Sequence, residues 1–183
     1  MKKLMMLLTV AVATVGVQAA TMTWSVLNVI GPNGSDAAVG TIVALYAAGT
    51  EYDHAKAVSG ELAPAYTATA VAQGTTGATR ITQSGVGSYS AGDTASFYAV
   101  VYDASTIASA QNYIISDVVS ATVPATGSNI TVAFGSMKAT TTSNKFKNAL
   151  DNGGWSSANV PEPTSALLLL MGGAMLALRR KRS

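Results

Sequence analysis

The residues whose side chains could carry out chemistry lie together at one place in the chain. Glu51, Asp53 and His54 fall within four positions and combine two carboxylates with the single histidine of the sequence. Such a set could transfer protons or hold a metal ion. A catalytic zinc usually needs two histidines or a third separated ligand, and one histidine cannot supply a histidine-rich site. The spacing therefore favours a polar loop, and we expect neither a metal nor a cofactor.

Hydrolytic chemistry is the second possibility. His54 could serve as the base for a serine, with Asp53 or Asp103 as the orienting acid, but no Gly-x-Ser-x-Gly turn occurs between the two ends of the chain. Paired carboxylates could hydrolyse a glycoside, although their spatial separation cannot be read from sequence. Scattered acids are more typical of a solvated surface, so we predict a protein that is not an enzyme. The candidate acids are Glu51, Glu61, Asp93, Asp103 and Asp117.

Aromatic side chains offer a third kind of site, because exposed flat rings can pack against sugar rings. Aromatic residues are plentiful between the two ends of the chain, but strand alternation predicts that at least half of those on strands belong to the core. Carbohydrate binding is therefore an alternative hypothesis. The candidates are Tyr46, Tyr52, Tyr66, Tyr89, Tyr98, Tyr102, Tyr113 and Trp155.

The elements that must position these residues are predicted to be strands. The sequence has no cysteine, so packing alone must hold the fold, and the central part of the chain is rich in Thr, Val, Ser, Ala and Gly. We predict an all-β fold for residues 20–137, a single β-sandwich of immunoglobulin-like or jelly-roll-like type with six to eight short strands. The predicted strands are Thr23–Ile30, Thr41–Ala47, Tyr66–Val71, Arg80–Gln83, Ala95–Tyr102, Tyr113–Val123 and Asn129–Phe134, of which Ala95–Tyr102 and Tyr113–Val123 should pair.

Short helical turns and a linker are predicted beside the strands. Ser105–Ala110 could form a single helical turn, and Asn144–Leu150 a helix of one or two turns. Residues 138–159 are rich in Ser, Thr, Gly and Asn, a composition typical of a flexible polar spacer.

The N-terminal segment has the order of parts found in a secretory signal. Lys2 and Lys3 precede an apolar stretch from Leu4 to Val17, and Val17 and Ala19 stand where a signal peptidase reads small or modest residues. About 14 apolar residues rise only about 21 Å as a helix, less than the hydrocarbon core of about 30 Å. We therefore predict a signal peptide over residues 1–19, cut by signal peptidase near Ala19 or Ala20.

The C-terminal segment combines three parts in a fixed order. The sequence Val160-Pro161-Glu162-Pro163 precedes an apolar run over residues 165–178, predicted to be a marginal transmembrane helix. The prolines keep the motif extended and accessible, and the basic end holds that terminus on the cytoplasmic side of the membrane. This basic end is formed by Arg179, Arg180, Lys181 and Arg182.

This arrangement over residues 160–183 resembles the PEP-CTERM sorting tail of Gram-negative envelope proteins. The resemblance implies a membrane protease of the exosortase type as partner, a transient stay in the inner membrane, and delivery to the cell surface or extracellular matrix, commonly beside exopolysaccharide. An ordinary tail anchor that stays uncut is the alternative.

The charge distribution argues against a nucleic-acid partner. Six of the 11 Lys and Arg residues lie in the two ends, which leaves five against eight acidic residues, or about −3, once Glu162 is set aside with the tail. No basic cluster remains that could follow a phosphate backbone. The sequence thus predicts an exported surface or matrix protein without catalytic activity, with a carbohydrate-binding module as the alternative and a secreted hydrolase as a distant one.

Overall fold

The computed structural model describes residues 19–73, 78–150 and 153–158. The signal-peptide prediction up to Gln18 and the sorting tail from Val160, with its helix at 165–178 and its basic end, lie outside these residues. The described elements are β1 (Ala20–Val29), β2 (Ile42–Ala47), α1 (His54–Ser59), β3 (Tyr66–Thr69), β4 (Val71–Ala72), β5 (Thr79–Tyr89), β6 (Thr94–Tyr102), β7 (Asn112–Ile115), β8 (Val119–Thr122), β9 (Ile130–Ser136) and β10 (Trp155–Ser157).

The strands form two open sheets. Sheet 1 has the order β4-β5-β1-β9, and sheet 2 has the order β10-β7-β6-β2-β3, with β8 also paired to β6. The first strand is antiparallel to β5 but parallel to β9. The predicted all-β class is confirmed at the level of a mostly β fold with two sheets. The finer assignment to an immunoglobulin-like or jelly-roll-like sandwich stays a prediction.

A shared hydrophobic core joins the two sheets. Alternate residues of β1 and β9 are buried in the same cluster as alternate residues of β2 and β6, as expected when one face of each sheet turns inward. Trp24 is fully buried, and its indole nitrogen donates to Gln83 Oε1 at 2.9 Å, which satisfies the one polar atom of this side chain. In β9, Ile130, Val132 and Phe134 are buried, whereas the alternating Thr131 and Ala133 are exposed.

The first strand departs from strict alternation near its end. Asn28 follows Trp24 and Val26 at strand spacing, but it adopts a left-handed φ of 45° and donates to Ser136 Oγ at 2.7 Å. The register with β5 shifts at the same place, so that Val29 becomes buried instead. Asparagine tolerates this backbone conformation better than a branched residue does.

The described residues of the predicted spacer, 138–150 and 153–158, pack on the sheets. Phe146 and Ala149 are buried in the main core, with the Phe146 ring 6.3 Å from that of Phe134. Lys145 donates its backbone N–H to the carbonyl of Phe134, and Trp155–Ser157 pairs with β7. Two apolar side chains in a polar stretch are enough to fix it once a complementary surface exists.

The turn at Gly135 shows how closely this segment approaches β9. Gly135 has a φ of 75°, and a side chain placed there would overlap the backbone carbonyl of Ser143. A glycine is therefore required both by the backbone conformation and by the packing.

The helical predictions also need correction. Ser105–Ala110 and Asn144–Leu150 form turns rather than helices. The helix α1 was not predicted, although its ends carried the usual signals: the Asp53 side chain accepts from the Lys56 N–H, and Gly60 ends the helix with a left-handed φ of 83°. Among the described residues, no helix has both the length and the apolar character needed to cross a membrane.

Candidate functional site

The outer face of sheet 2 is covered by aromatic residues. Both faces of β2 and β6 are apolar, so a second layer forms on the side that is turned away from the main core. Helix α1 and the loops around it close over this face. We call the resulting group the tyrosine cluster; its members are Tyr46, Tyr52, Tyr98, Tyr102, Tyr113 and His54.

A chain of hydrogen bonds runs through the cluster. The hydroxyl oxygens of Tyr46 and Tyr102 lie 2.9 Å apart, and Tyr52 donates to Tyr102 Oη at 3.0 Å. Tyr52 Oη also lies 2.9 Å from His54 Nδ1. Because each hydroxyl has one proton, the chain is satisfied when His54 Nδ1–H donates to Tyr52, Tyr52 to Tyr102, and Tyr102 to Tyr46.

Burial makes the charged forms of these groups unfavourable. It raises the pKa values of the Tyr46, Tyr52, Tyr98 and Tyr102 hydroxyls above the ordinary value of 10.0. Burial likewise lowers the pKa of His54 below 6.5, an effect that the nearby Asp53 carboxylate partly opposes. The cluster is therefore neutral at pH 7, with His54 as a neutral imidazole stacked 5.3 Å from the Tyr113 ring.

The candidate residues Glu51, Asp53 and His54 do not form one site, because each has a different structural role. Asp53 caps helix α1, His54 belongs to the tyrosine cluster, and Glu51 is exposed beside Tyr52. No group of three or more His, Cys, Asp or Glu residues within the described ranges is placed to hold a metal ion.

The remaining candidate carboxylates do not meet in one cleft, and three of the four have local partners. Asp93 accepts from the Ser90 N–H at 2.7 Å. Asp103 accepts from the Gln111 N–H and from Asn112 Nδ2. Asp117 lies 3.0 Å from Lys147 Nζ, and Glu61 is exposed after helix α1. These bonds stabilise turns and surface contacts.

The candidate aromatic residues do not form an exposed platform. Tyr46, Tyr98 and Tyr102 are buried, and the other five are half-buried. Tyr66 and Tyr89 interact with each other outside the cluster, and burial raises the pKa of Tyr89 to about 12. Trp155 donates its indole N–H to the carbonyl of Ala149. A sugar could thus contact only the part of the cluster that reaches the surface.

A break in sheet 2 opens the cluster to solvent. The predicted strand Tyr113–Val123 is divided into β7 and β8, which pair with β6 as expected but leave residues 116–118 out of the ladder. Ser116 Oγ accepts from the Ala99 N–H at 2.8 Å, in place of a backbone carbonyl. The Asp117 N–H points away from β6 and donates to the carbonyl of Lys145. The chain bulges out of the sheet opposite Tyr98.

Two recesses flank Tyr52 at this surface. The first, of about 350 Å³, lies at the strand break, and the second, of about 420 Å³, lies towards helix α1. Glu51 and Tyr52 line both. The first is lined by Thr50, Glu51, Tyr52, Tyr98, Ile115, Ser116 and Val118, and the second by Glu51, Tyr52, Asp53, His54, Lys56 and Tyr113.

One polar atom beside the first recess has no partner. Tyr98 is 5% exposed, and its hydroxyl is buried without a hydrogen bond to any described residue.

A larger depression of about 570 Å³ lies between Asp117 and residues 139–150, but its Asp117 and Lys147 are paired with each other. Sequence reasoning identified Tyr98 only as one of eight aromatics and did not identify Ser116, because the strand break has no local signature.

The two ends of the described chain bear on the predicted processing sites. Ala19 is exposed, whereas Ala20 begins β1, is buried and pairs with Tyr89. At the other end, Ala158 is buried and donates its N–H to the Gln111 carbonyl at 2.7 Å. The folded part thus extends to within one residue of Val160.

Comparison with known proteins identifies the tail. The family model of the PEP-CTERM protein-sorting motif matches residues 159–182. Neither the curated proteins nor the solved structures give a match to this chain. The motif implies export, processing by an exosortase and sorting to the cell surface. The chain is therefore a protein that carries a PEP-CTERM sorting signal on its C-terminal tail.

Proposed function

We propose that this is a non-catalytic protein of the cell surface or extracellular matrix, delivered as a two-sheet body and freed from a membrane-inserted tail by an exosortase. The observation that carries the proposal is the sorting motif at residues 159–182. Signal peptidase acts at the other end, and the inner membrane is a transient stop before the tail is cut.

The reactive side chains of the body take part in structural hydrogen bonds, which supports a role without catalysis. His54 is held in a neutral hydrogen-bond chain, and Asp53 and Asp103 are occupied by backbone N–H groups. All three groups therefore already have hydrogen-bond partners within the protein.

The short distance between body and tail defines how processing would take place. Ala158 is fixed to Gln111, and Pro161 follows three residues later. Three residues span at most about 10 Å and the five residues to Pro163 at most about 18 Å, so the protease would cut within that distance of the folded surface. The edge of sheet 2 formed by β10 would then face the protease.

The test is the intact mass of the protein recovered from the surface and medium of its native host, with both termini mapped by peptide fragmentation. We expect an N-terminus at Ala20, because cutting after Ala20 would remove a buried residue of β1. We expect a C-terminus at or near Pro161–Pro163. An intact Ser183 in the membrane fraction would show a plain anchor and would refute the proposed release.

Carbohydrate binding is a second candidate function. The observation that favours it is the recess at the strand break, which combines a half-buried ring with hydroxyl groups and a carboxylate. This candidate does not depend on how the tail is processed.

A further inference from the structure

We infer that the recess at the break in sheet 2 is a binding site for an uncharged sugar unit, and that the hydroxyl of Tyr98 is its hydrogen-bonding anchor. The recess lies between Tyr52 and residues 115–118 and has a volume of about 350 Å³. This is within the usual range for small-ligand pockets.

The hydroxyl of Tyr98 is buried and has no hydrogen-bond partner among the described residues. Leaving a buried hydroxyl without a hydrogen bond destabilises a protein, and nearly all such groups find a partner. Tyr98 could be phenylalanine at no cost to the ring packing, since its ring stacks on Tyr46 at 5.6 Å and its hydroxyl bonds to no described residue. The hydroxyl therefore has its use in a state with a ligand present.

The lining of the recess matches the chemistry of a sugar. Thr50 and Tyr98 carry hydroxyl groups, whereas the Ser116 hydroxyl is already bonded to the Ala99 N–H and the Asp117 carbonyl. Glu51 carries a carboxylate that can accept from two adjacent ligand hydroxyls. Ile115 and Val118 are 39% and 53% exposed, and they form an apolar rim beside the Tyr52 ring. A pyranose presents the matching surfaces, with C–H groups on its faces and hydroxyls at its edge.

Charge decides between classes of sugar. Glu51 is the one charged residue among those that line this recess, and no Lys or Arg lines it. A uronic acid or a sulfated sugar would place its anion beside this carboxylate, which costs free energy in a partly desolvated recess. We therefore assign the site to neutral sugars.

The bound state requires a small movement. The Tyr98 hydroxyl is buried, so a ligand must displace the rim formed by residues 116–118. Ser116 is hydrogen-bonded to Ala99 and Asp117 to Lys145, so the exposed Val118 is the part of the rim that a ligand would displace. Val118 lies between the ladders of β7 and β8, and its movement breaks no pair of strands.

The experiment uses the full exported chain purified in a sugar-free detergent and titrated with methyl glucoside, methyl galactoside and methyl mannoside by saturation-transfer NMR. We expect at least one glycoside to bind. The variant Tyr98→Phe should weaken it about tenfold, the effect of one hydrogen bond of about 1.4 kcal/mol, without lowering the melting temperature. The matched control Tyr89→Phe removes a hydroxyl outside the recess and should leave binding unchanged.

A second variant tests the carboxylate. Glu51 is exposed, so Glu51→Gln should fold normally and should also weaken the glycoside. The proposal is overturned if none of the three glycosides binds, if Tyr98→Phe binds as tightly as the parent chain, or if methyl glucuronide competes equally well.

Discussion

Tyr46 and Tyr102, from two neighbouring strands of sheet 2, join their hydroxyl oxygens at 2.9 Å although both side chains are almost completely buried. With Tyr52 and His54 they form a hydrogen-bond chain that no charged group completes. Such a chain favours one arrangement of the outer layer, because displacing one member removes a hydrogen-bond partner from its neighbours. Among the described residues, Tyr98 carries the buried side-chain hydroxyl that takes no part in any hydrogen bond.

The variant Tyr102→Phe should lower the free energy of unfolding by about 1–3 kcal/mol, because it leaves the buried hydroxyl of Tyr46 and the half-buried hydroxyl of Tyr52 without their shared partner. Tyr98→Phe is the matched control and should be neutral or stabilising. Urea unfolding of both variants provides the measurement. Equal losses in the two variants would show that the hydrogen-bond chain contributes nothing specific.

The variant Phe146→Ala should destabilise the body by about 3–5 kcal/mol, because the ring is fully buried in the main core. The neighbouring Lys147→Ala removes only an exposed ion pair with Asp117 and should cost about 1 kcal/mol or less. Thermal and urea unfolding distinguish the two. A neutral result for Phe146→Ala would restore the interpretation of residues 138–150 as a loose spacer.

His54 should make stability depend on pH on the acid side. Its pKa is lowered in the folded state, so the unfolded chain takes up the proton first as the pH falls below about 6.5. The free energy of unfolding should therefore fall between pH 7 and the lower folded pKa, and it should level off below that value as far as His54 is concerned.

The variant His54→Asn keeps a side-chain donor for Tyr52 and removes the titration. Melting temperatures measured from pH 5 to pH 8 should fall less steeply on the acid side for this variant than for the parent chain. Parallel curves for the two proteins would contradict the assignment of this pH dependence to His54.

Replacement of Pro161, Glu162 and Pro163 by alanine should leave export intact but retain an uncut form in the membrane, because the extended and accessible site would be lost. Replacement of the polar residues Thr140, Thr141 and Thr142 by alanine is a control at exposed positions of the body and should not alter processing. Cell fractionation followed by intact-mass measurement shows whether each chain is cut and where it is found. Identical processing of the parent chain and both variants would show that the motif is not required for cleavage.

Local pattern was sufficient for several parts of this protein. The alternation of Ile130, Val132 and Phe134 places these side chains on one face of β9, and the order of parts around Pro161-Glu162-Pro163 predicted the sorting tail. Both signals are carried by residues close together in sequence. The caps of helix α1 at Asp53 and Gly60 were equally local, and the helix could have been predicted from them.

Only the tertiary structure decided the rest, because those features depend on residues far apart in the chain. Tyr46 and Tyr102 meet across 56 positions, and Phe146 orders a polar segment by reaching a core built from earlier strands. The break opposite Tyr98 arises where Ser116 replaces a backbone partner of Ala99. The sequence by itself determined the strand faces and the destination of the protein, whereas long-range packing decided which aromatic rings are buried and where a recess opens. Burial and pairing depend on the whole arrangement of both sheets, and no local window of residues contains that information.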